Sequence, residues 1–146
     1  MADDDNDEYQ QAFVQVDDTT LIAAIRQREA DVTPLLKPMG GNVVQALQLS
    51  LRDPPYQTRT DSVKNMSFDV VLKVLNTVKD AEIANVVGAL TMEECDVLMK
   101  YIYRGLGPAG KKNETYSKLL HWHPEVLKRA GPSSIMRAIS EVSLAL

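Results

Sequence analysis

A chain of 146 residues with a net charge of −4 and a single cysteine, Cys95, has length for one domain with a real core and no means of forming an intrachain disulfide. No apolar run follows Met1 and no stretch of about 20 nearly uncharged apolar residues occurs, so neither a secretory leader nor a membrane span is expected and the cytosol is the default expectation. No basic patch with interleaved aromatics points to nucleic acid.

The charge is unevenly spread. Residues 1–31 hold nine acids against Arg26 and Arg28, a net −7, whereas the remainder holds 14 bases and 11 acids, a net +3. Residues 1–20 are too polar to pack alone, which reads as an extended, largely disordered acidic arm. Tyr9, Phe13, Val14 and Val16 are apolar exceptions within it, suited to docking on another protein, with Tyr9, Phe13 and Val14 the candidate contacts. Residues 21–28 predict one or two turns of helix, and residues 31–37 a second short one with Pro34 in its first turn. Pro38, Gly40 and Gly41 then break the chain, so the division expected is an arm over residues 1–38 and a helical domain over residues 39–146.

Asn42 can cap a helix that carries Val43, Val44, Leu47, Leu49 and Leu51, with Gln45 three residues on as in a capping box. Asp53-Pro54-Pro55 ends it, because a residue before proline is pushed out of the helical region. Residues 61–79 form the central element. Val63, Met66, Val70, Val74 and Val78 share helical spacing, Phe68, Val71, Leu72 and Leu75 lie on adjoining faces, and Asn65, Asp69, Lys73, Asn76 and Asp80 keep to a narrow strip. A helix apolar on most of its circumference has to be covered on several sides.

Asp80 is expected to cap a short helix over residues 81–90. Thr91-Met92-Glu93-Glu94 has the form of a capping box, opening a helix with Cys95, Val97, Leu98, Tyr101 and Ile102 that is expected to stop near Gly105. A further helix over residues 114–130 contains Pro124, which should kink or split it. Gly131-Pro132 reads as a stop followed by a start, and Ile135, Met136, Ile139 and Val142 form the last apolar stripe. No segment alternates with period two, so the fold is all-α, either a short α-α superhelix or a compact helical domain.

The chemistry-bearing residues do not assemble into a catalytic set. His121 and His123 stand two apart, which puts their rings on different helix faces, and no second cysteine completes a metal site. Cys95 lies in an apolar stripe, where a small buried hydrophobe is the plain reading. Gly40-Gly41 and Gly105-Leu106-Gly107 lack the following Lys-Ser/Thr of a phosphate loop. No catalytic, cofactor or metal residue is therefore expected. Tyr101 and Tyr103 point about 200° apart on a helix, so one can be core while the other faces a partner together with Arg104. Tyr, Arg and Trp are enriched at binding hot spots, and Trp122 joins this candidate set, although Trp is also a frequent core residue.

At these residues the chain resembles a known family. VLMKYIYRG at 97–105 is close to LLMKYIYKG, LLHWH at 119–123 to LLQWH, and VLKVL at 71–75 is the same; Ala46-Leu47-Gln48, Arg52-Asp53-Pro54-Pro55 and residues 131–138 also match. The motifs fall in one consistent order over about residues 42–140. They are those of the 16 kDa subunit family of the actin-related protein 2/3 complex. The resemblance implies a small all-α superhelical domain without enzyme activity, in a seven-subunit assembly that nucleates branched actin filaments at the actin-rich cortex and protrusions. It also implies that the body contacts the 20 kDa accessory subunit and the β-propeller subunit, and that the N-terminal extension tethers actin-related protein 2. Asp7-Glu8-Tyr9 with Phe13-Val14 resembles the acidic-aromatic segment of that extension, whereas Asp3-Asp4-Asp5 stands where the family often has bases. The competing expectations are an unrelated acidic-tailed α-helical adaptor protein and an enzyme using Cys95 or the histidines.

Overall fold

In a computed structural model, residues 17–56, 58–107 and 113–145 are described, and among them every regular element is helical. In chain order these are α1 (Asp18–Val32), α2 (Val43–Ser50), α3 (Asp61–Thr77), α4 (Ile83–Gly88), α5 (Met92–Leu106), α6 (Asn113–Ala130) and α7 (Ser133–Ala145), with short 3₁₀ turns at Thr33–Leu36 and Asp80–Glu82. Tyr9, Phe13 and Val14 lie outside the described residues.

Helix α3 is the shared wall of the core. It buries Val63, Phe68, Val70, Val71, Val74 and Leu75, while Asp69, Lys73 and Asn76 stay exposed, as the expected polar strip requires. Helices α1 and α2 pack on one side of it. On the other side α5 is the main partner of both α6 and α7, and α4 packs on α6. One apolar cluster runs through both halves, from Ile25 and Val32 of α1 through Leu75 to Leu119, Trp122 and Ala138.

The ends of the helices follow local chemistry where the sequence carries it. The Asn42 side chain accepts from the Gln45 amide at 3.1 Å. At Thr91 the box is reciprocal: the hydroxyl accepts from the Glu94 amide, and the Glu94 carboxylate accepts from the Thr91 amide. Gly131 takes the left-handed conformation, φ 82°, and its amide bonds the Leu127 carbonyl, closing α6 before Pro132 opens α7.

Several expectations are corrected. Residues 21–28 are part of a single 15-residue helix, α1, whose Ile25 and Val32 enter the core, so packed structure begins well before position 39. Asp80 caps nothing; a 3₁₀ turn precedes α4, and the Asp80 carboxylate accepts from Lys118 instead. Pro124 does not split α6. The carbonyl it deprives of a donor is that of Leu120, an exposed residue where water can serve. Gly105 is not a stop. The helix runs through it to Leu106, and a β-carbon there would lie 2.4 Å from Leu119 Cδ1 and 2.7 Å from Phe68 Cζ. The glycine is needed for close approach of α3, α5 and α6. Finally, α7 turns Ser134 and Ala138 inward with Ile135 half-buried, leaving Met136 71% and Ile139 55% exposed.

Candidate partner-binding site

The 3.6-residue turn of α5 separates its two tyrosines as expected. Tyr101 is fully buried; its hydroxyl pairs with Ser67 Oγ at 2.6 Å, and burial pushes its pKa up to about 12. Tyr103 sits half-buried on the other side. Its hydroxyl meets His123 Nε2 at 2.8 Å, and the two rings are edge-to-face at 5.5 Å. Phenol and imidazole therefore form one aromatic unit joining α5 to α6 at the surface.

Arg104 is the next residue and is half-buried. Its Nη2 donates to Asn65 Oδ1 on α3 at 2.8 Å, which fixes the guanidinium over the seam between α3 and α5. Beside it stands Lys64, only 5% exposed, although the sequence gives no hint that a lysine would be covered here. Burial lowers the pKa of Lys64, and the Arg104 charge acts in the same direction, with Asp61 opposing both. The apolar pattern missed this residue because a lysine stem can pack while its ammonium reaches outward.

Trp122 is fully enclosed, and its indole Nε1 has no acceptor among the described residues. It holds α6 in the core and offers no surface of its own. A cleft of about 510 Å³ opens elsewhere, lined among others by Leu21, Arg28, Leu51, Tyr56 and Val97. Lys100 Nζ lies 5.2 Å from the centre of the Tyr56 ring. Apolar side chains also reach solvent at Leu120, Met136 and Ile139.

The residues considered for chemistry are dispersed. His121 Nδ1 is 3.8 Å from Asp80, whereas His123 is engaged with Tyr103. The Cys95 thiol is buried, and burial raises its pKa, so it remains a thiol rather than a nucleophilic thiolate at neutral pH. Among the described residues no three potential metal ligands come together, and no helix is long and apolar enough to cross a membrane.

The likeness to known proteins spans arm and body alike. A family model described as the ARP2/3 complex 16 kDa subunit matches residues 2–143. The chain is 38% identical to actin-related protein 2/3 complex subunit 5 of Dictyostelium discoideum over 139 residues, covering 95% of each chain. It is 40% identical over 101 residues to subunit 5-C of Xenopus laevis, covering 69% of this chain and 66% of that one. To subunit 5A of Arabidopsis thaliana it is 33% identical over 130 residues, covering 88% and 94%.

Proposed function

The chain belongs to the ARP2/3 complex 16 kDa subunit family, and on that premise we propose that it is a non-catalytic structural subunit of an actin-related protein 2/3 complex, supporting nucleation of branched actin filaments. The observation that carries this reading is the extent of the match, which includes the acidic arm as well as the helical body.

In this reading the two parts do different work. The body docks on the 20 kDa accessory subunit and the β-propeller subunit. Tyr103 and Arg104 are its contacts, because an aromatic unit and a guanidinium already held in place lose little freedom on docking. The arm, through Tyr9, Phe13 and Val14, tethers actin-related protein 2 and raises its local concentration beside the rest. Actin filaments are met only through the assembly, which places the subunit in the cytoskeleton at the cortex.

The decisive measurement is a pull-down of the tagged chain from its own cell extract. Recovery of the other complex subunits in equal amounts supports the reading; recovery of the chain alone, or with unrelated proteins, removes it. Tyr103→Ala with Arg104→Ala should reduce incorporation about tenfold or more while leaving helicity intact. Removing residues 1–16, which spares α1, should leave incorporation unchanged and reduce retention of actin-related protein 2 and branch nucleation, most visibly on dilution.

A further inference from the structure

We propose that the cleft of about 510 Å³ between α1 and α5 receives residues 9–16 of the same chain when no partner holds the arm. Leu21, Ala24 and Arg28 line it from α1 at helical spacing, Val97 lines it from α5, and Leu51, Pro54 and Tyr56 from the chain that follows α2. Helix α1 packs on α2 and α3, and α5 on α6 and α7, which leaves the facing sides of α1 and α5 as two walls. The walls are tied in place. Arg28 donates to the Arg52 carbonyl, and Gln48 donates to the Glu94 carboxylate at 3.2 Å. The cleft is therefore already formed, and filling it costs little ordering of its own side chains.

Charge and reach select the occupant. Arg28 and Arg52, with Lys100 over the Tyr56 ring, balance Asp53, Glu93 and Glu94 around the cleft. A neutral, largely apolar cleft does not repay the desolvation of an acidic segment, which keeps Asp3, Asp4, Asp5, Asp7 and Glu8 in solvent. Residues 9–16 are different: they carry no charge and include Tyr9, Phe13, Val14 and Val16. Burying those side chains against Leu21, Leu51, Pro54 and Val97 is the favourable step. They also stand directly before Asp17, the cap of α1. From Phe13 to Asp17 the chain can extend up to about 14 Å. Leu21 and Ala24 lie about 6 and 10 Å past Asp17 along the α1 axis. A reversal ahead of α1 therefore brings Phe13 and Val14 onto the cleft, and Tyr9 has the reach to meet its Arg28 end. A tether this short gives an effective concentration in the millimolar range, an advantage that the same segment of a second copy lacks. Cleft and partner then compete for the same side chains, so a subunit that takes the arm has to displace it. This concerns the free chain and holds whichever subunit takes the arm, so it does not depend on the tether reading above.

The test compares backbone amide resonances and amide exchange of the full chain with those of two variants. The first joins Tyr9→Ser, Phe13→Ser, Val14→Ser and Val16→Ser, all ahead of α1, and leaves the helical body intact. It should shift the amides of residues 21–28, 51–56 and 93–97 and leave those of α7 where they are. Salt at 0.5 M, which shortens the screening length to about 4 Å, should not abolish that difference. The second variant, Ala24→Gln, puts a longer neutral side chain into the cleft at an exposed position of α1 and keeps a good helix former there. It should speed exchange of the amides of residues 9–16 severalfold while α1 stays protected. Four results overturn the proposal. The arm substitutions may leave the cleft amides unmoved, or move those around Leu120, Met136 and Ile139 instead. The difference may vanish in salt, which would put the acidic residues at the contact. Exchange of residues 9–16 may be the same in Ala24→Gln as in the wild type. The shifts may fade on dilution, which would assign the cleft to the arm of a second copy.

Discussion

Helices α1 and α5 are each 15 residues long, yet α5 fully buries six residues and α1 only two. Burial fixes α5: Cys95, Leu98, Met99, Tyr101, Ile102 and Gly105 face α3, α6 and α7, and a reciprocal capping box starts the helix. Polar ties fix α1 to a much greater degree. Asp18 is bonded to Thr58 and Thr60, Arg28 donates to the Arg52 carbonyl, and Lys73 of α3 reaches both Glu29 and the Thr33 hydroxyl. Apolar burial is non-directional, whereas hydrogen bonds and ion pairs are directional and respond to pH and screening. The same length of helix can thus be secured globally or locally, and α1 is expected to open before α5.

The largest effect should come from the side secured by burial. Trp122→Ala removes the largest enclosed side chain from α6 and should cost about 3–5 kcal/mol, read as a lower midpoint in urea. Leu75→Ala in α3, which both halves share, should cost about 2–5 kcal/mol by the same measurement. Gly105→Ala comes next. Overpacking against Leu119 and Phe68 costs about 1–3 kcal/mol, and roughly 1 kcal/mol returns through helix propensity, so a modest net destabilisation is expected. A stabilised Gly105→Ala variant would mean that propensity, not close approach, governs this position. All three should accelerate amide exchange in both halves, because they act on the common core.

The two helices were also unequally legible. The α5 stripe and its Thr91–Glu94 box follow from spacing alone, and α3 is apolar over so much of its surface that burial is its only explanation. The 15 residues of α1 lack that pattern. Its register depends on hydroxyls and a carbonyl 24 to 42 positions away, which no local reading reveals. Lys64 and Gly105 were opaque for a related reason: one is covered and the other kept bare by residues from different helices. Met136 and Ile139 carry the lesson in reverse. Their spacing is that of a core stripe, but α7 meets α5 through Ser134 and Ala138, and small residues give no hydrophobic signal. Of the candidate site, the opposed faces of Tyr101 and Tyr103 were readable from helix geometry. The Tyr103–His123 pairing was not, since it joins two helices.

The smallest and most local effect is expected at Asp18, and it separates the two helices most cleanly. Hydrogen bonds from Thr58 and then Thr60 hold its carboxyl below the ordinary carboxylate range. A folded-state pKa below the unfolded one means that the tie is fully present above the unfolded value, about 3.9, and is lost as pH falls through the folded value. Acidification below about pH 4 should therefore loosen the first turn of α1 while α5, held by burial, stays protected. Asp18→Asn keeps one acceptor but cannot titrate, so its α1 should lose this acid step and show weaker protection at neutral pH. Asp18→Ala should expose the α1 amides at every pH without shifting the urea midpoint as Trp122→Ala does. Amide exchange followed by mass spectrometry, with α5 as the internal reference, reads each case. If α1 and α5 lose protection together on acidification, and do so equally in the wild type and in Asp18→Asn, then the threonine clamp is not what holds α1 to the body.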